Sequence, residues 1–142
     1  MEEEIQIKIV SLGRDTVYKT VDKVSLYASD GFMEVHPGHA PIVFLLGTGI
    51  CEFFNGRQGE KLAVFEGVGR FYKNELTLCP DNFEFPQEID VQRAQNSLKR
   101  ANLRIAGKDP EVPKRNLQLA RAQKSKHRSM IRLNIRGVVV DE

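Results

Sequence analysis

Phe85-Pro86-Gln87-Glu88-Ile89-Asp90-Val91-Gln92-Arg93-Ala94 is where this chain changes character. Upstream lie all eleven aromatics (eight Phe, three Tyr), between Tyr18 and Phe85, and nine of the eleven glycines. From Gln87 onward there is no aromatic residue. Charge divides at the same place: residues 1–86 carry 8 basic and 13 acidic groups, net −5, and residues 87–142 carry 13 and 6, net +7. Aromatic, β-branched and glycine-rich composition suits short strands joined by turns. The later stretch, rich in Ala, Leu, Gln, Arg and Lys, suits helices. The sequence predicts two domains, 1–86 and 87–142, meeting at Pro86.

Downstream of the boundary, Val91, Ala94, Leu98, Ala101 and Ile105 are spaced 3, 4, 3, 4 and fall on one stripe of a helix. Asp90 is placed to cap it, its carboxylate meeting free backbone N–H groups. Gly107, then Pro110 and Pro113, stop it. A second helix is expected from Lys114 to about Arg136, ending at Gly137 and folding back as an antiparallel hairpin. Its stripe reads Leu117, Ala120, Lys124, His127, Ile131, with two polar residues in the seam. Such a hairpin buries little apolar area and should open easily.

Upstream, Ile5, Ile7 and Ile9 alternate with Gln6, Lys8 and Val10, the pattern of a half-buried strand. Val17–Leu26, Phe32–His36, Ile50–Phe54, Lys61–Phe65 and Leu76–Cys79 read as further short strands. Turns are marked by Asp15, Ser29-Asp30-Gly31, Asn55-Gly56 and Lys73-Asn74. Asn55-Gly56 suggests a hairpin with a loop longer than two residues. Strands at this spacing argue for a β-sandwich or barrel.

Whole-chain numbers exclude more than they name. A length of 142 residues, 41% hydrophobic and 28% charged, is ordinary for a globular protein, and a net charge of +2 does not point to nucleic acid. No apolar run approaches the roughly 20 residues of a membrane span, and Met1-Glu2-Glu3-Glu4 is acidic where a secretory leader is basic, so a cytosolic chain is expected. Cys51 and Cys79 read as buried strand thiols rather than a disulfide. There is no phosphate-binding GxxxxGK[ST] loop and no GxSxG elbow; Gly67-Val68-Gly69 lacks the third glycine of a dinucleotide site. His36 and His39 lack a third ligand, so neither a metal site nor a catalytic residue is assigned.

The most unusual string is His36-Pro37-Gly38-His39-Ala40-Pro41, in which Pro37 fixes φ, Gly38 permits a left-handed turn and Pro41 keeps Ala40 extended. With its flank, Asp30-Gly31-Phe32-Met33-Glu34-Val35, it resembles a turn of the epsilon subunit of bacterial and chloroplast F-type ATP synthases. Glu66-Gly67 followed by Tyr72-Lys73-Asn74-Glu75-Leu76-Thr77-Leu78 is similar to that family's glycine pair, asparagine turn and strand. Glu88-Ile89-Asp90-Val91-Gln92-Arg93-Ala94 is similar to its isoleucine-aspartate-x-x-arginine-alanine string. The three occur in family order between about residues 5 and 133. The chain departs from the family pattern at Glu34, where a glycine is usual, at Glu66, and at Cys79-Pro80-Asp81, and the loop from Gly107 to Pro113 is longer.

The resemblance implies an α+β, two-domain protein: an N-terminal antiparallel β-sandwich followed by a C-terminal antiparallel helical hairpin. It implies a non-catalytic central-stalk subunit of a proton- or sodium-translocating ATP synthase, peripheral to the cytoplasmic face of the inner membrane. The expected partners are the gamma subunit, the rotor-ring c subunits and, when the hairpin extends, the alpha/beta catalytic head, where it opposes ATP hydrolysis. The gamma and ring contact is placed at the turn holding Phe32, His36, Pro37, Gly38, His39, Ala40 and Pro41. No cofactor is required. Some members bind ATP as a regulatory ligand on the folded hairpin, and the matching positions here are Glu84, Ile89, Asp90, Arg93, Ala94, Arg100, Arg128 and Arg132; converging guanidinium groups suit phosphate. The alternative from another class is a small β-barrel nucleic-acid module with a basic helical tail, although its stacking aromatics sit in the acidic half.

Overall fold

The alternation at the start of the chain becomes β1 (Ile5–Ile9), with all three isoleucines in the core and Gln6 and Lys8 exposed. Seven strands follow: β2 (Val17–Val21), β3 (Lys23–Ala28), β4 (Gly31–Val35), β5 (Ile42–Leu46), β6 (Gly49–Asn55), β7 (Gln58–Tyr72) and β8 (Glu75–Glu84). This computed structural model describes residues 3–108 and 119–138. It separates the chain into two units, Met1–Phe85 and Pro86–Glu142.

Strand order is β2-β1-β8-β7-β5-β3-β4, with β6 lying end to end with β5 between β7 and β3. The 15-residue β7 pairs with β6 through its first half and with β5 through its second, while β8 runs along its other edge. That shared strand lets the sheet fold over into a sandwich around Phe53, Phe71, Phe83, Leu62, Leu76 and Leu78. All pairs are antiparallel except β1 with β8, which is parallel. These two strands come from the two ends of the unit, so no tight hairpin forces them antiparallel.

Four sequence expectations change in detail. The predicted Val17–Leu26 strand is divided at Asp22, whose Oδ2 accepts from the Gly56 N–H (2.7 Å) and whose N–H donates to the Phe54 carbonyl (2.9 Å). Those bonds tie the β2–β3 corner to the β6–β7 turn. That turn is a two-residue loop, Gly56-Arg57 between the Asn55–Gln58 pair, tighter than expected because Gly56 adopts φ +64°. Lys61–Phe65 and Leu76–Cys79 are only the middles of longer strands; β8 continues through Pro80, which stands opposite Gly67. β5 carries no period-2 signal in sequence, because Ile42-Val43-Phe44-Leu45-Leu46 is apolar at every position.

In the second unit a 3-10 turn, Pro86–Glu88, leads into α1 (Val91–Ile105), and α2 is Leu119–Ile135. Asp90 caps α1, its Oδ1 accepting from the Arg93 N–H at 3.1 Å. Ala94, Leu98 and Ala101 are buried, as the stripe predicts. Both helices end alike. Gly107 (φ +71°) donates to the Arg104 carbonyl and Lys108 to that of Leu103; Gly137 (φ +75°) donates to Asn134 and Val138 to Leu133. These are Schellman turns, which require the left-handed glycine. Lys114, Leu117, Pro110 and Pro113 lie outside the described residues. No described helix is long and apolar enough to cross a membrane.

The expected α2 seam is corrected. Ala120, Lys124 and His127 are exposed, and the buried residues are Ala122, Ser129 and Leu133. The buried stripe lies two residues along, a rotation of about 200°. That phase leaves Lys124 and His127 in water, where their desolvation costs nothing. Small side chains face α1 instead, and Leu133 packs with Ala94, Leu98, Val91, Met130 and Val138.

Candidate functional site

The turn 36–41 is held rigidly. The His39 N–H donates to the His36 carbonyl (3.1 Å), and Gly38, at φ +82°, donates to Asn74 Oδ1 (2.7 Å). Asn74 is itself left-handed, with Lys73, in the β7–β8 turn (φ 61° and 49°). The His39 ring stands edge-on to Phe71 at 5.7 Å, with Nδ1 2.7 Å from the Ala40 carbonyl oxygen; His36 Nε2 is 3.5 Å from Glu34 Oε1. His36 and His39 thus serve the turn and its neighbours. Among the described residues no group of three His, Cys, Asp or Glu side chains converges as a metal site.

Phe32 is not part of that turn. It is the second residue of β4, while His36 follows the other end of the strand, so the structure separates what the sequence expectation placed together. The pleat explains the difference: Phe32 points to the outer face, paired across to Tyr27 with ring centroids 5.5 Å apart.

That outer face is the feature the sequence did not reveal. Tyr27, Phe32, Val43, Leu45 and Val68 are exposed at 44, 60, 70, 63 and 46%. Register makes them neighbours: Tyr27 faces Phe32, and Leu45 faces Val68, which faces Cys79. A shallow groove of about 530 Å3 runs beside them, lined by 28–33 and 42–45. Farther along the same face the residues turn polar: Val43 meets Arg70, then Thr77, Lys8 and Tyr18 in register. A groove of about 440 Å3 opens there. One signal was available. A strand apolar at every position has two faces to cover, and β5 has only one against the core.

The residues matched to the nucleotide site divide between the units. Glu84 lies in the first, half-buried near the end of β8, 3.3 Å from Asn82 Nδ2. The other seven lie in the second. Asp90, Arg93 and Arg100 are exposed and share one face of α1; Ile89 and Ala94 are buried. Arg128 and Arg132, one turn apart on α2, are half-buried. Asp90 already serves as the helix cap through one oxygen.

Both cysteines are free and in strands, but only Cys51 is buried; Cys79 is exposed, which corrects the expectation of two buried thiols. β8 places Cys79 on the outer face beside Val68. Burial raises the Cys51 pKa far above the usual thiol range, with Glu52 adding to the shift, so its thiolate is unavailable at neutral pH. In the native protein an alkylating reagent should therefore label Cys79 and spare Cys51 until denaturant is added. Equal labelling rates by peptide mass mapping would contradict this burial.

Comparison with known proteins follows the same outline. Residues 4–86 match the family model described as "ATP synthase, Delta/Epsilon chain, beta-sandwich domain", which is more than half of the chain. The chain belongs to the ATP synthase delta/epsilon chain family. The ATP synthase epsilon chain of Clostridium kluyveri is 31% identical over 140 residues, covering 95% of this chain and 98% of the relative. That of Geobacter metallireducens is 28% identical over 137 residues, 96% of each. A structure of the Euglena gracilis mitochondrial ATP synthase contains a chain that superposes with a TM-score of 0.67 at 17% identity, covering 95% of this chain and 78% of that one. At that identity the likeness concerns the fold alone. The epsilon-type sandwich and two-helix unit are thus shared across the whole length, and the nucleic-acid alternative loses its ground.

Proposed function

We propose that this chain is a non-catalytic central-stalk subunit of an F-type ATP synthase. Its sandwich holds the gamma subunit and meets the rotor-ring c subunits, and its helical unit restrains ATP hydrolysis when extended toward the alpha/beta head. The observation that carries this reading is the exposed apolar face of β3, β4, β5 and β7 in a family whose members are ATP synthase chains. A monomer gains nothing by leaving Leu45, Val43 and Phe32 in water; a permanently bound partner removes that cost. The epsilon chains of Clostridium kluyveri and Geobacter metallireducens, similar over nearly the whole chain, support the same assembly. The net +7 of residues 87–142 suits an acidic surface on the head, with charge steering the encounter.

In this reading the subunit sits at the cytoplasmic face of the membrane through the complex. ATP acts as a regulatory ligand of the helical unit rather than a substrate. Arg93, Arg100, Arg128 and Arg132 supply planar donor forks for its phosphates, and the exposed Asp90 belongs to the same unit.

The test adds the purified chain to a catalytic head that lacks its own epsilon subunit but retains gamma, and follows ATP hydrolysis. Saturable inhibition is expected with the full chain and should disappear when the chain is cut after Pro86, although binding persists. Failure of the full chain to bind overturns the stalk reading. Binding with equal hydrolysis rates for both forms overturns the brake.

A further inference from the structure

Arg136 is the C-cap residue of α2, fixed in direction by the Schellman turn at Gly137. From there its Nη1 donates to two carbonyl oxygens at once, those of Pro86 and Ile89, each at 3.1 Å. Both acceptors lie in the segment by which the chain enters the second unit, immediately before the Asp90 cap. The Pro86 carbonyl also accepts from the Ile89 N–H at 3.2 Å, closing the 3-10 turn. The Ile89 carbonyl precedes the helix and receives no intrahelical donor, and Ile89 is only 5% exposed, so Arg136 supplies a bond that water reaches poorly.

The hydrogen bonds within α1 and α2 survive if the helices part. The Arg136 bonds do not, because they join positions 50 and 47 residues apart. The seam they supplement is built largely of small side chains, Ala94, Ala101, Ala122 and Ser129. The Ser129 hydroxyl is fully buried with no hydrogen-bond partner among the described residues, a cost that closure must carry. Across a seam of that kind the two Arg136 bonds carry a larger share of the closed state's margin than they would across a broad apolar one.

We infer that Arg136 is the latch of the helical unit: its guanidinium clamps the Pro86 and Ile89 carbonyls, holding α2 against α1, and its release opens the hairpin. The latch is a property of this chain alone. Its consequence for ATP hydrolysis rests on the regulatory reading above, and the two are tested separately.

Spin labels at Gln95→Cys and Ser125→Cys, both exposed positions, report the α1–α2 separation in the full chain with Cys79→Ser. Arg136→Ala should move weight from the short to the long distance by about fivefold, the worth of roughly one ordinary net hydrogen bond, since the guanidinium stays in contact with water. Arg136→Lys, which keeps the charge but not the planar fork, should shift it less. An unchanged distance distribution in Arg136→Ala overturns the latch. If the hairpin opens in Arg136→Ala and inhibition of hydrolysis stays at the parent level, the latch stands and the regulatory reading of the unit fails.

Discussion

Gly67→Ala should cost the sandwich about 4 kcal/mol, the sum of a steric and a backbone term. A Cβ at Gly67 would lie 2.2 Å from the Cys79 carbonyl oxygen and 2.6 Å from the Pro80 Cα, both backbone atoms of the neighbouring strand. Neither can swing aside as a side-chain tip would. Gly67 also sits at φ +154°, which favours glycine, next to Glu66 at φ 29°. The only route to relief is to part β7 from β8 where Val68 and Cys79 pair. Gly31→Ala is the control: it shares the left-handed strain at φ +140° but has nothing within 4 Å of its Cβ, so about 1 kcal/mol is expected. Urea unfolding followed by tyrosine and far-UV signals should show the difference as a lowered midpoint with an unchanged slope. Equal midpoints for the two variants would mean that β8 does not approach Gly67 so closely. Against a total stability of about 5–15 kcal/mol, the loss removes between about a quarter and four fifths of the margin.

Some of the structure was legible in sequence and some was not. Ile5, Ile7 and Ile9 announce their strand because one face is wet and one dry, and Asp90 announces a helix because a carboxylate before an apolar stripe has a specific backbone partner. β5 gives no such signal, since both of its faces are apolar for different reasons, one for the core and one for the exposed surface. Phe32 and His39 look like members of one turn when only their separation along the chain is known. The pleat and length of β4 place them apart. The α2 stripe is ambiguous for a similar reason. Alanine, serine and lysine recur at helical spacing on more than one face, and the seam is decided by which phase buries Leu133 and leaves Lys124 wet. Arg136 is the extreme case. Nothing local marks it as anything but a basic residue before a stop signal, and its two acceptors are backbone carbonyls that sequence does not distinguish.

Leu45→Glu should weaken binding to a gamma-containing catalytic head by about 30-fold or more while leaving the fold intact. Leu45 is 63% exposed, so a carboxylate there remains solvated in the free chain and costs little stability. It stands beside Val68 in register, in the middle of the face bounded by Phe32, Tyr27 and Val43, the position at which an interface is driest once formed. Burying an unpaired charge at such a centre costs about 2 kcal/mol or more, which sets the expected factor. Thr77→Glu, on the polar part of the same face, is the useful comparison. If the apolar half carries the affinity, Thr77→Glu changes binding several-fold at most, and the change shrinks as salt is raised. Calorimetry at two salt concentrations reads both variants. Parent-like affinity for Leu45→Glu would mean that this face does not carry the proposed gamma contact, and the exposed face would then need another occupant. A large, salt-insensitive loss would make the all-apolar β5 a consequence of assembly: a strand written for two buried faces, of which the isolated chain supplies only one.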